Sequence, residues 1–276
     1  MLVDSLLEAA GADCASLVAA ARNAGVTGPL LLGGSLVDGL GTRHSDLDLF
    51  AIGSCGGDLF TPFLSWTRHH WSGLQMDVHV IDGQHLAEAG RKLRDELLLP
   101  PGRPATRMPY DFLVALHALH SGQLLTADGH QELETLRTTA GADLLPLLLG
   151  LRALAMAEHH RRDAVQFSAL GLTLSASSAA RSAVESLADA CIAVGGCANP
   201  NPKWRVPLLQ RFAREDRLAW LPWRQFLELL FPRDGSRGAD PASMVAFSEL
   251  VDQLLVQRTV LGLYREPAAV LVHAGA

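Results

Sequence analysis

Apolar and polar positions alternate most clearly between Leu30 and Ile81. Leu30-Leu31-Leu32 is an unbroken apolar run, while Asp46-Leu47-Asp48-Leu49 and Met76-Asp77-Val78-His79-Val80-Ile81 alternate. Side chains of a strand leave on opposite faces in turn, so these stretches predict three strands, with Leu47 and Leu49 directed into a core. Ahead of them, Leu2, Leu6, Leu7, Ala10, Leu17, Val18 and Ala21 fall near one stripe. That spacing predicts a first helix over residues 2–24, broken near Gly11 and closed by Gly25 and Gly28-Pro29. A turn at Gly33-Gly34-Ser35 leads into a short helix to about Leu40, and the second strand runs to Ile52. Phe63, Leu64 and Trp66 suggest the inward side of a helix over Phe60–Trp71 before the strand Leu74–Ile81.

Pro100-Pro101-Gly102-Arg103-Pro104 then interrupts the pattern, since prolines at this density favour extended chain over helix. Beyond it, helical periodicity dominates, over 110–125, 131–139, 143–162, 176–194, 206–217, 222–231 and 242–263. The last is best signed: Asp240 suits an N-cap and Pro241 the first helical position, and Met244, Phe247, Val251, Leu254 and Leu255 make its apolar face. The expected fold class is α+β, a small mixed β-sheet domain over residues 1–103 followed by an all-α helical bundle over 104–276.

Composition narrows the function. With 49% apolar and 19% charged residues, the 276-residue chain is expected to be globular. A net charge of −6 without a long basic run argues against a nucleic-acid partner, which needs many cations to neutralise its phosphates. No long apolar run is free of charge and the N-terminus lacks a basic region, so neither a membrane span nor a secretion signal is expected. Cys14, Cys55, Cys191 and Cys197 are scattered without a CxxC pair, which reads as reduced thiols and a cytoplasmic setting.

The candidate chemistry sits in the first strands. Asp46 and Asp48 leave one face of the same strand and repel unless a cation holds them, and hard oxygen ligands of this kind suit Mg2+. Gly33-Gly34 at a strand-to-helix junction would let the backbone approach a bulky anion, with the next N–H groups free to bond it. Leu32-Gly33-Gly34-Ser35, ten intervening residues, and then Asp46-Leu47-Asp48-Leu49 resemble the signature of the DNA polymerase beta superfamily of nucleotidyltransferases. That family has a third carboxylate on a neighbouring strand, which Asp77 matches. The helical half resembles, more loosely, that of antibiotic-modifying enzymes of the kanamycin and lincosamide type, through the loops Gly122–Gly129 and Asn201-Pro202-Lys203-Trp204-Arg205.

The resemblance implies that Asp46, Asp48 and Asp77 bind Mg2+, with two ions about 3.5–4 Å apart flanking an in-line attack on the α-phosphate of ATP or another nucleoside triphosphate. Gly33, Gly34, Ser35 and Ser45 would then serve the triphosphate, with Arg43 and His44 at the mouth. Lys92 and Lys203 are the only lysines among 23 basic side chains, so Lys203 is a candidate point charge on the phosphates. A helical-domain carboxylate, Glu185 or Glu158, is the candidate general base. His79, two residues from Asp77, shares its face. The pairs His69-His70 and His159-His160 lack the i, i+4 spacing of a helical zinc site.

The leading expectation is an Mg-dependent adenylyltransferase that moves AMP from MgATP to a hydroxyl of a small molecule, such as an antibiotic or specialised metabolite, held where the helical domain closes over the cleft. The alternatives are adenylylation of a protein or peptide, and a catalytically silent nucleotide-binding module. The sequence leaves the oligomeric state open.

Overall fold

Strand pairing follows from the alternation. The computed structural model describes residues 5, 7–8, 12–42, 44–53, 63–97, 108–231 and 240–258, with backbone alone for 95–97. Strands β1 (Leu30–Gly33), β2 (Leu47–Gly53), β3 (Leu64–Trp71), β4 (Leu74–Asp82) and the two-residue β5 (Gln123–Leu124) form one sheet in the order β3-β4-β2-β1-β5. β2 and β4 run parallel, and the other neighbours are antiparallel. The fold is α+β, a small mixed sheet followed by a set of helices.

Leu64–Trp71 is a strand, where a helix over Phe60–Trp71 was expected. Residues 60–62 lie outside the described residues, and Leu64 to Trp71 is a full strand in register with β4, from Leu64 opposite Ile81 to Trp71 opposite Leu74. Between the two, Ser72 (φ 52°) and Gly73 (φ 77°) both take left-handed backbone. This is the tight two-residue hairpin whose twist matches that of the flanking strands. Thr67 and the aromatic residues of the segment suit a pleated surface, and pairing along all of β4 outweighs the weak helical stripe.

One sheet face is packed. Leu30, Leu32, Leu47, Leu49, Ala51, Met76 and Val78 meet Leu17 and Ala21 of α1 (Cys14–Asn23) in one buried cluster. At about 1.5–3 kcal/mol for each fully buried aliphatic side chain, this seam fixes which strand residues point inward. Ser5, Leu7 and Glu8 are helical, Ala12 and Asp13 are not, and α1 then begins at Cys14. Asp13 accepts from the Ser16 N–H at 2.7 Å while Ser16 Oγ accepts from the Asp13 N–H at 2.9 Å, a reciprocal cap. The break expected at Gly11 lies outside the described residues.

After β1, α2 is a single turn, Gly34–Val37. After β4, the chain enters α3 (Gly83–Leu97), which the sequence pattern did not mark. Asp82 accepts from the His85 N–H at 3.0 Å at its start. The expected boundary at 103/104 falls outside the described residues, and past it the chain returns to the sheet. Helix α4 (Tyr110–Ser121) is followed by β5, paired to β1 through Leu31 and Leu32, and then by α5 (His130–Ala140). Gln123 and Leu124 are thus an edge strand, where a helix to Leu125 was expected. Arg137 of α5 donates to the carbonyls of Leu119 (2.7 Å) and Gly122 (2.9 Å), tying this corner together.

The chain divides into two compact units. The first takes Met1–Asp95 and Met108–Leu145, the second Glu96–Arg107 and Pro146–Ala276. Helices α6 (Leu145–Ala169), α7 (Thr173–Val194), α8 (Arg205–Glu215), α9 (Trp223–Leu230) and α10 (Pro241–Arg258) belong to the second unit, apart from Leu145. Helix α7 buries Ala176, Ala180, Ala183, Val184, Leu187 and Cys191. Such small residues let a neighbouring helix come close, and α10 packs there with Met244, Phe247, Val251 and Leu255 inward. Arg161 of α6 pairs with Asp252 of α10 at 2.7 Å, both side chains nearly buried.

Among the described residues, no single helix is long and apolar enough to cross a membrane. Cys14, Cys191 and Cys197 form no disulfide, and Cys55 lies outside the described residues.

Candidate functional site

Residues opposite one another in a sheet share a face. Gly33 lies opposite Asp48, Asp48 opposite Asp77, and Asp77 opposite Arg68, which makes one transverse row across β1, β2, β4 and β3. The next row is Leu31, Phe50, His79 and Trp66. Asp46 stands one residue ahead of β2. The expected shared face of Asp77 and His79 is therefore present.

Asp46, Asp48 and Asp77 converge, each offering an oxygen within 4.8 Å of the others. An ion bound at about 2.1 Å holds opposite ligand oxygens about 4.2 Å apart, so this spread closes with a small side-chain shift. An all-carboxylate donor set suits a hard divalent cation, and the three residues fit one.

Other groups meet the negative charge. Arg68 grips Asp77 with both ends of its fork, Nε to Oδ1 at 2.8 Å and Nη2 to Oδ2 at 2.9 Å. The Arg68 guanidinium holds the Asp77 carboxyl below the usual carboxylate range, against the opposing effect of burial. Gln75 donates to Asp46 Oδ2 at 3.2 Å, and His79 Nε2 stands 3.8 Å from Asp48 Oδ1. His79 is stacked on Phe50, ring centroids 4.6 Å apart, which fixes its plane.

The glycines act differently from one another. Gly33 ends β1 in extended backbone, and a Cβ there would lie 2.7 Å from the Phe50 ring. Gly34 is the residue that turns the chain, at φ +71°, where a Cβ would fall 1.9 Å from Asp48 Oδ2. The turn and the second carboxylate are thus in direct apposition. Ser35 follows, 7% exposed, its carbonyl accepting from the N–H groups of Leu40 (2.9 Å) and Gly41 (2.8 Å). Below the turn, Asp38 Oδ2 lies 3.2 Å from His117 Nε2 of α4, a buried pair. Ser45 Oγ accepts from the Thr42 N–H at 2.8 Å, so it shapes the loop leading to Asp46. His44 is exposed, its N–H donating to Thr42 Oγ1, and Arg43 lies outside the described residues.

No family model and no curated protein matches the sequence. Among solved structures the chain is similar to a nucleotidyltransferase-like protein from Exiguobacterium sibiricum 255-15, at 16% identity over 91% of this chain and 75% of that one, with a TM-score of 0.44. A likeness that loose carries no residue role across, and the chemistry rests on the groups described above.

The remaining candidates belong to the second unit. Glu185 of α7 accepts from Arg181 (3.0 Å) and pairs with Arg205 of α8 (3.1 Å), so each of its oxygens faces a guanidinium. Arg205 also grips Asp189 through two bonds of 2.6 and 2.7 Å. That arrangement makes Glu185 a brace between α7 and α8. Glu158 pairs with Arg162 on the exposed side of α6. Lys203 is exposed in a single 3-10 turn capped by Asn201, its Nζ 5.0 Å from the Trp204 ring centroid.

Arg68 and Gln75 are the site residues that the sequence reading missed. Arg68 fell inside the supposed helix, where its side chain would have no fixed relation to Asp77. The readable signal was the Ser72-Gly73 turn: a two-residue hairpin loop places Arg68 opposite Asp77 by counting outward from it.

Proposed function

We propose that the chain is a nucleotidyltransferase that moves the AMP group of MgATP to a hydroxyl of a small molecule and releases pyrophosphate. The observation that carries this is the convergence of Asp46, Asp48 and Asp77 beside the Gly33-Gly34 turn, all on one sheet face. The three carboxylates would hold Mg2+, which when bound supplies Lewis-acid stabilisation of the charge on the transferring phosphoryl oxygens. The chain's own work is positioning. Gly34, without a Cβ, leaves the space that Asp48 Oδ2 occupies, and the backbone N–H groups of Gly34 and Ser35 would orient the triphosphate. Ser45 fixes the loop that delivers Asp46. The acceptor oxygen would bond the α-phosphorus as the bridging bond to pyrophosphate breaks, its hydroxyl proton passing to solvent water, with little covalent chemistry asked of the protein. Antibiotics and related specialised metabolites are the acceptor class to try first.

A second reading has a specific observation behind it. Asp77 is already neutralised by Arg68, which is how a silent nucleotide-binding module would stabilise an inherited carboxylate.

One experiment separates the two. The protein is incubated with Mg2+, ATP and a panel of hydroxyl-bearing aminoglycosides and lincosamides, pyrophosphate is measured, and products are examined by mass spectrometry for an added AMP. Turnover with an acceptor is the expected result. Saturable MgATP binding without pyrophosphate release from any acceptor favours the silent module, and absence of MgATP binding removes both.

A further inference from the structure

The Arg68–Asp77 pair has a geometry that the transfer reaction does not use. It is bidentate, with both Asp77 oxygens taken by one guanidinium at 2.8 and 2.9 Å. A divalent cation using Asp77 together with Asp46 and Asp48 must come within about 4 Å of that guanidinium, where like charges repel strongly. The two cations therefore compete for the third carboxylate in this arrangement.

The partners are unequally anchored. Asp77 is central in the sheet and its side chain is 10% exposed, whereas that of Arg68 is 48% exposed. Arg68 stands on β3, an edge strand of the sheet. Its head can return to water at small desolvation cost, while Asp77 stays in place and needs a cation. A resting place is already next to it, since the Arg68 Cζ lies 5.3 Å from the ring centroid of Trp66, itself 57% exposed.

We propose that Arg68 is a displaceable counter-ion: it occupies the third carboxylate until a divalent cation takes that carboxylate over, so that cation uptake and guanidinium release are a single exchange. The proposal rests on the reading of Asp46, Asp48 and Asp77 as metal ligands. Under it, Arg68 is a positioning residue. It keeps Asp77 aimed in the absence of metal, and it sets the cation concentration at which the site fills. One event therefore completes the metal site and frees a guanidinium on the face where the phosphates would lie.

The test uses Mn2+ alone as the probe, with free ion followed by electron paramagnetic resonance on the full-length protein. Arg68→Gln is expected to bind Mn2+ about tenfold more tightly than wild type, because a like charge beside the ion is removed. Arg68→Lys keeps the charge but not the fork, so it should fall between the two, and it carries the test if Arg68→Gln does not fold. In an Asp77→Asn background, Arg68→Gln should no longer change the affinity, because the contested carboxylate is gone. Unchanged or weaker Mn2+ binding in Arg68→Gln overturns the proposal. So does equal tightening with and without Asp77, which would mean general charge repulsion in place of exchange. Failure of the underlying reading has a separate signature: Asp48→Asn and Asp77→Asn would then both leave Mn2+ binding at the wild-type level.

Discussion

Asp48 has its position set from two sides. Gly34 leaves it the space a methyl group would take, and His79, stacked on Phe50, stands 3.8 Å away. Without metal, Asp48 sits beside two other carboxylates, and Asp77 alone has a bidentate cation. Their neutral replacements should therefore act oppositely on stability. In metal-free buffer, Asp48→Asn relieves repulsion and is expected to hold or raise the melting temperature, whereas Asp77→Asn strands Arg68 and lowers it. In the proposed reaction both lose turnover. Removing a group that stabilises the transition state by about 3 kcal/mol slows pyrophosphate release by about 100-fold. Gly34→Ala forces a Cβ onto Asp48 Oδ2 at φ +71°, with a backbone cost of about 1–2 kcal/mol before the clash is counted. A lowered melting temperature together with lost MgATP binding is the expected readout. The three aspartates were legible because strand alternation puts each on a known face. Arg68 was not, because its meaning comes from a partner nine residues away across a hairpin.

At the scale of elements, the β3–β4 hairpin is where local pattern and final structure part. Phe63, Leu64 and Trp66 also fit a helical stripe, and only pairing with β4 decides the matter. The turn tests this directly. Gly73 takes φ +77° with open space around it, so Gly73→Ala meets strain without collision. It should destabilise the protein by about 1–2 kcal/mol in urea unfolding, and Gly73→Asn by less. Helix ends were read with mixed success. Asp240 holds the start of α10 as expected, accepting from the Ser243 N–H at 3.0 Å and the Ser243 hydroxyl at 2.6 Å. The Ser243 hydroxyl and N–H keep its carboxyl below the usual value of 3.8, and Asp13 on α1 is lowered likewise by the Ser16 N–H and hydroxyl. A depressed carboxylate adds stability above its unfolded value and loses it as pH falls through the lower, folded one. The two caps should therefore help fully above about pH 4 and fail progressively below it. Asn caps without titrating, so Asp240→Asn should flatten the acid side of a melting-temperature profile while changing little at pH 7.

For the molecule as a whole, the division into a sheet unit and a helical unit was half visible. The proline-rich stretch suggested a boundary and the helical periodicity after it was real. What could not be read was that residues 108–145 rejoin the sheet unit, because a two-residue strand carries no periodicity and its pairing with β1 is decided by packing. Stability should follow the buried seam and not the surface. Leu49 is fully buried between the sheet and α1, and Leu49→Ala should cost about 2–5 kcal/mol. That is a large share of the roughly 5–15 kcal/mol that holds an ordinary domain together. Leu170 is 71% exposed, so Leu170→Ala should stay within about 0.5 kcal/mol in the same unfolding experiment.

The late arrival of β5 has a further consequence during synthesis. Until residues 123 and 124 have left the ribosome, the outer amides and carbonyls of β1 beside the glycine turn have no neighbour to bond. A nascent or prematurely terminated chain that stops near residue 103 therefore offers a bare ribbon to any other chain it meets. Two residues near the middle of the gene thus protect its first third from sticking to its own copies.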